Sequence, residues 1–269
     1  MNKISCVLLS ALVGWSIEAQ ASSVLVTRTT EGVMVQGAGG SEPAPEGAFP
    51  LLAGQSLVIP SEATAVVLSS GRAEKLVGPT SFVPRDQALG GDQNDALFSV
   101  LKRQSSIEQV DTGKKEKGFV LLRPIGQTSV ATLSHFRWEC QGCEEQKIEL
   151  VELASSQTVW SGTGRLQIDY NGSALDGGEY AIKSGAQFIP FTIISEEDAA
   201  QVHAAAQRAK QLGKDLKTVD RLAVEAAVWI HAGMPSDALY LIDNALREFP
   251  GEKELLQLQQ EYEGMVLPK

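Results

Sequence analysis

The sequence is poor in the residues that metal and redox chemistry use. Its 269 residues include three Cys and three His, too few for a zinc or haem site built mainly on those ligands. No cofactor and no metal are expected. Basic charge is also short, with 23 Lys and Arg against 33 Asp and Glu and a net charge of -10. A nucleic-acid partner is therefore not expected, since phosphate recognition draws on concentrated positive charge. Beyond the N-terminal segment no apolar run reaches the roughly 20 residues that span a bilayer. Catalytic patterns are equally scarce. His135, His203 and His231 fall in different elements, and the chain holds no G-x-S-x-G or H-E-x-x-H run. The glycines from 37 to 40 lack a lysine partner for a phosphate. These absences point away from an enzyme.

Apolar residues make up 43% of the chain and charged residues 21%, a balance that folds and does not stay disordered. Residues 1–21 read as a secretory signal peptide. Lys3 precedes an apolar stretch from Ile4 to Ile17, and Ala19-Gln20-Ala21 supplies the small-residue cleavage site. Its removal takes away Lys3 and Glu18 together, so the balance stays at -10. It also removes Cys6 and leaves Cys140 and Cys143. The expectation is an exported protein of the bacterial periplasm, with no transmembrane segment once the signal is gone.

Residues 22–85 alternate short strands with turns. Val24, Val26, Val33 and Val35 have the period of a half-buried strand. Residues 37–48 are rich in glycine and proline and read as a loop. Strands follow at 51–59, 64–68, 73–77 and 80–83, with turn signals between them. The turn-strand Gly54-Gln55-Ser56-Leu57, the strand Ala63-Thr64-Ala65-Val66-Val67-Leu68, the turn at Gly71 and the run Leu76-Val77-Gly78-Pro79 together resemble the FecR-like domain of bacterial envelope proteins. Where that family usually has an acidic residue or asparagine before the turn glycine, this chain has Ser70. The resemblance implies an envelope interaction module and no chemistry.

Residues 86–118 read as a connector, with one short helix near 95–103 and a lysine-rich linker at 113–118. Residues 119–194 form a second β unit, with strands expected at 119–122, 129–132, 136–138, 147–153, 158–161, 165–170, 179–182 and 188–194. The pieces Leu122-Arg123-Pro124-Ile125-Gly126, Phe136-Arg137-Trp138, Val159-Trp160 and Gly177-Gly178-Glu179-Tyr180 resemble an immunoglobulin-like sandwich. That resemblance implies a core role for Trp138.

From Ser195 the apolar period becomes helical. Ser195 with Glu196, Glu197 and Asp198 opens a helix that Gly213 ends, and further helices run over 218–232, 236–249 and 252–264. The middle pair resembles a tetratricopeptide repeat. Gly233, Ala238, Ala245 and Pro250 fall at its loop, small-contact and terminal positions, and Leu222, Ala226 and Trp229 fit its first helix. Glu225 stands where the family usually has leucine. Only one clear repeat is present, so the flanking helices read as caps.

The sharpest local motif is Cys140-Gln141-Gly142-Cys143. A redox pair needs its first cysteine at a helix N-terminus, and a zinc site needs about four ligands. The strand-like flanks favour a disulfide at a hairpin tip, stabilising by about 2 kcal/mol. Trp160 and Tyr170 can serve either as core packing or as a sugar-stacking platform.

The whole reads as a multidomain chain. Two all-β modules, FecR-like and immunoglobulin-like, precede an α-helical hairpin module at 195–269. The function expected is that of a non-catalytic adaptor that meets a protein partner, or copies of itself, in the cell envelope. Carbohydrate or peptidoglycan binding and thiol-disulfide exchange at Cys140 and Cys143 are the alternatives.

Overall fold

The computed structural model describes residues 24–84 apart from 46, 53 and 70, then 96, 97, 100, 119–140, 142 and 145–266. The expected signal peptide, most of the connector, Ser70 and Cys143 lie outside these residues. Two β units precede four helices, as the change of period implies. Among the described residues no helix is long and apolar enough to cross a membrane.

The first unit holds two four-stranded sheets. One runs in the order β4 (Phe49–Pro50), β1 (Val24–Thr29), β6 (Thr64–Ser69), β7 (Ala73–Val77). The other runs β3 (Gly40–Pro43), β2 (Met34–Gly37), β5 (Ser56–Ile59), β8 (Thr80–Phe82). Val24, Val26, Ala65 and Val67 point into a core shared with Leu57 and Ile59. Leu25, Val66 and Leu68 point the other way and are buried among the helices. The continuous apolar runs of β1 and β6 thus belong to strands covered on both faces. The loop expected over 37–48 is partly a correction: β2 and β3 form a hairpin through Gly37↔Gly40. Glycine with a positive φ at 40 suits the tight reversal.

Gly78 marks the closest backbone approach in this unit. Its N–H donates to the Ala63 carbonyl at 3.0 Å. A Cβ there would lie 1.8 Å from the Pro60 carbonyl oxygen, so only glycine fits.

The second unit stacks a three-stranded sheet, β14 (Gln167–Asp169), β11 (His135–Cys140), β9 (Phe119–Arg123), on a five-stranded one. The latter is β10 (Gly126–Thr128), β16 (Gln187–Ile193), β15 (Gly178–Ser184), β12 (Gln146–Glu152), β13 (Gln157–Gly164). Their shared core includes Leu121, Phe136, Trp138, Ile148, Leu150, Ile182 and Phe191, with Trp138 fully buried. The strand expected at 129–132 is corrected to a 3-10 turn over Val130–Thr132. Its place is taken by β10, which pairs in parallel with β16.

The helices are α1 (Glu196–Leu212), α2 (Thr218–His231), α3 (Pro235–Glu248) and α4 (Lys253–Val266). Ser195 caps α1, its Oγ accepting from the Asp198 N–H at 3.1 Å. Pro235 occupies the first turn of α3. Helix α2 is apolar around most of its circumference, and residues 223–231 are all buried. Such a helix sits at the centre of a packed structure. It lies between α1 and α3 and also contacts β1 and β6. Leu97 and Val100, from the expected connector helix, are buried in the same cluster.

Candidate functional site

The most elaborate polar structure is the junction where the helices grip both β units. It has three parts, each built from an acidic helix residue and donors on strands or turns.

In the first part, Asp220 in the first turn of α2 receives Lys75 Nζ of β7 at 2.8 Å and faces Arg28 of β1 at 3.8 Å. Arg28 also reaches Glu261 of α4 at 3.5 Å. The Asp220 side chain is 3% exposed, so its charge is stabilised by these cations and not by water. Tyr262 of α4 closes the layer, its hydroxyl donating to the Ala223 carbonyl at 3.0 Å.

The second part fixes the other β unit. Asp237, in the first turn of α3 and 2% exposed, accepts from Ser129 Oγ at 2.6 Å and from the Ser129 N–H at 3.2 Å. Thr128 Oγ1 donates at 3.0 Å and Thr132 Oγ1 at 3.1 Å. Beside it, Ser236 Oγ accepts from the Ile125 N–H at 2.8 Å and donates to the Ile125 carbonyl at 3.1 Å. The Gln127 N–H meets the Gly233 carbonyl at 3.3 Å. Burial raises the Asp237 carboxyl above its ordinary range, against the lowering effect of the hydroxyl and amide donors.

In the third part Arg123 of β9, 3% exposed, pairs through Nη2 with Asp243 of α3. Arg137 of β11 reaches Asp243 at 3.4 Å and Glu263 at 3.9 Å, and Gln259 of α4 donates to Asp243 at 2.7 Å. Burial lowers the Arg123 pKa while Asp243 opposes the shift. Burial also raises Glu263, against the pull of Arg137. His135 is lowered by burial and then by the charge of Arg123.

This arrangement holds surfaces together. Ser129 and Asp237 resemble a nucleophile beside an acid, but both are buried and the carboxylate is occupied by four donors. The histidines stay apart: His135 lies against Tyr240, His203 lies against Trp229, and His231 is buried in the last turn of α2. Among the described residues no three His, Cys, Asp or Glu side chains gather as metal ligands.

The repeat-like positions come together inside the helical unit. Ala226, Trp229 and Ala238 are buried in its core, and Leu222 and Ala245 pack against that core half-buried. Gly233 takes φ +78 where α2 turns into α3, and Pro250 is exposed in the turn after α3. Glu225, where the resembled repeat usually has leucine, is buried and paired with Lys210 of α1 at 3.3 Å. An ion pair there links α1 to α2 in place of an apolar contact.

Cys140 ends β11 and is disulfide-bonded; Cys143, its expected partner, lies outside the described residues. Gly142 takes φ +76, a conformation suited to a tight turn. Trp160 and Tyr170 pack on each other at 5.4 Å and on the buried Phe136 at 5.2 and 5.9 Å. Trp160 Nε1 donates to Asn171 at 2.8 Å and the Tyr170 hydroxyl donates to the Ser173 carbonyl. Both rings, half-buried, thus pack within the chain, and both polar handles are hydrogen-bonded there.

Asp220, Asp237, Asp243 and Ser129 carry no site signal in the sequence, and Arg123 figures there only in the sandwich resemblance. An acidic residue in a first helical turn reads locally as a dipole partner, and its distant donors leave no local trace. No protein family model matches the chain, and no curated protein matches it.

Proposed function

We propose that the chain is an exported, non-catalytic adaptor of the bacterial envelope. In this reading a FecR-like module and an immunoglobulin-like sandwich are held by a tetratricopeptide-like helical unit. The observation that carries it is the triple junction just described. A buried helical face committed to the chain's own β units serves as a clasp. Partner contact then falls on the outward surfaces of the β units, which offer sheet edges and loops. Exposed apolar side chains on those surfaces include Val77 and Phe188. The engaged state of Trp160 and Tyr170 favours protein contact over glycan stacking.

The test is photo-crosslinking in the native cell, with a crosslinking residue placed in turn at Val77, Phe188 and, on the helical unit, Leu256. Discrete adducts from Val77 or Phe188, in a chain recovered from the periplasm, support the reading. A chain retained in the cytoplasm, or adducts from Leu256 alone, would overturn it.

A further inference from the structure

We infer that β13 is a pairing edge for a second copy of this chain, joined antiparallel about a twofold axis near Ser161. An exposed sheet edge presents unpaired backbone groups that proteins ordinarily guard. Edge β4 is two residues long and includes Pro50. Edge β3 carries Glu42 and Pro43, and β7 carries Glu74 and Lys75. Strand β8 is three residues long, between Pro79 and Pro84. Strand β14 is three residues long with Asp169, and β9 runs into Pro124 while its Phe119 carbonyl accepts from Gln187. Edge β10 is covered by α3.

β13 differs from all of these. It is eight residues long, Gln-Thr-Val-Trp-Ser-Gly-Thr-Gly, with no charge and no proline. One register shift interrupts its pairing with β12 opposite Leu150 and Val151 and leaves residues 160–164 regular. The Gln157 N–H at its start donates to Ser155 Oγ at 3.3 Å; over residues 158–164 the described backbone bonds run only to β12.

A second copy fits this edge better than an arbitrary strand. A twofold axis at Ser161 sets that residue against its own counterpart and its flanking residues against each other, and an uncharged strand does so without like-charge repulsion. In a chain of net charge -10 that property matters. The ends are complementary as well. Exposed Arg165 follows β13, and Glu152 sits across from Gln157 at its start. Antiparallel pairing carries Arg165 of one copy to the Gln157 end of the other, one strand away from Glu152, which Ser155 Oγ also meets. The two five-stranded sheets then become one continuous sheet. An eight-residue edge is small beside the roughly 800 Å² per partner of a stable interface, so the dimer is weak and dilution dissociates it.

The test is sedimentation of the purified chain by analytical ultracentrifugation over a wide concentration range, with thermal melting as a control. The expected result is a reversible monomer–dimer equilibrium. Ser161→Lys should raise its dissociation constant by about tenfold or more through like charges at the axis, without lowering the melting temperature. Arg165→Glu, in an exposed turn, should weaken it similarly, and adding Glu152→Arg should restore it. A chain that stays monomeric at millimolar concentration would overturn the inference, as would a dimer indifferent to both Ser161→Lys and Arg165→Glu. Purified protein needs no envelope partner to dimerise, so this outcome is separate from that of the adaptor reading.

Discussion

Ser129 and Asp237 stand 108 residues apart in sequence and 2.6 Å apart in space, joined by a hydrogen bond from hydroxyl to carboxylate across the boundary between the second β unit and α3. Removing the carboxylate with Asp237→Ala leaves a buried amide and three hydroxyls without their acceptor. We expect a loss of about 2–4 kcal/mol, read from urea denaturation.

The isosteric Asp237→Asn separates charge from shape. Burial raises the Asp237 carboxyl above its ordinary 3.8, so the folded chain holds that proton more tightly than the unfolded chain does. Stability contributed by this group therefore grows as pH falls through the folded pKa, levels off near the unfolded value, and is lost again as pH rises. Denaturation at a series of pH values should show the native chain gaining on Asp237→Asn toward acid. A native chain that loses ground to the variant toward acid would contradict the assignment.

At the first β unit Lys75 and Arg28 share Asp220. Truncating the buried partner, Asp220→Ala, takes the carboxylate from Lys75 and leaves Arg28 with Glu261 alone, and should cost about 2 kcal/mol. Lys75→Ala should cost less, because that side chain is one-third exposed. A double-mutant cycle on thermal or urea stability measures the coupling, and additivity of the two substitutions would argue against a functioning pair.

Two glycines of the first unit make a matched test. Gly78→Ala drives a Cβ into the Pro60 carbonyl and should cost about 3 kcal/mol, whereas Gly71 has nothing within 4 Å of its would-be Cβ. Melting of the two variants should differ sharply, with Gly71→Ala near the native value.

Cys143 is the expected partner of Cys140, and replacing both with Ser should lower stability by about 2 kcal/mol. Crosslinks to an envelope partner should persist. Disappearance of a measurable reductase or isomerase activity in the double variant would instead favour thiol chemistry.

The succession of two β units and a helical unit was legible because each change of period is local. Ser195, Gly213 and Pro235 mark helix ends by their own backbone preferences, and Trp138 stands out as a core residue. The second cover on β1 and β6 also left a trace: Leu25, Val66 and Leu68 complete continuous apolar runs, which signal burial on both faces. Reading only the alternation of Val24 and Val26 passes over it. The junction itself was not legible. Whether Asp237 caps a helix or accepts from Ser129 depends on where the chain returns after more than a hundred residues, and no spacing within α3 encodes that. Glu225 is similar, since its departure from leucine makes sense only beside Lys210 of the neighbouring helix.

The central claim is that the helices clasp the two β units into one body. A distance distribution between spin labels at Val77 and Phe188, one on each unit and both exposed, tests it most directly. The account predicts a single narrow distribution that broadens when Asp220→Ala and Asp237→Ala are combined. A broad distribution in the native chain, unchanged by those substitutions, would contradict it.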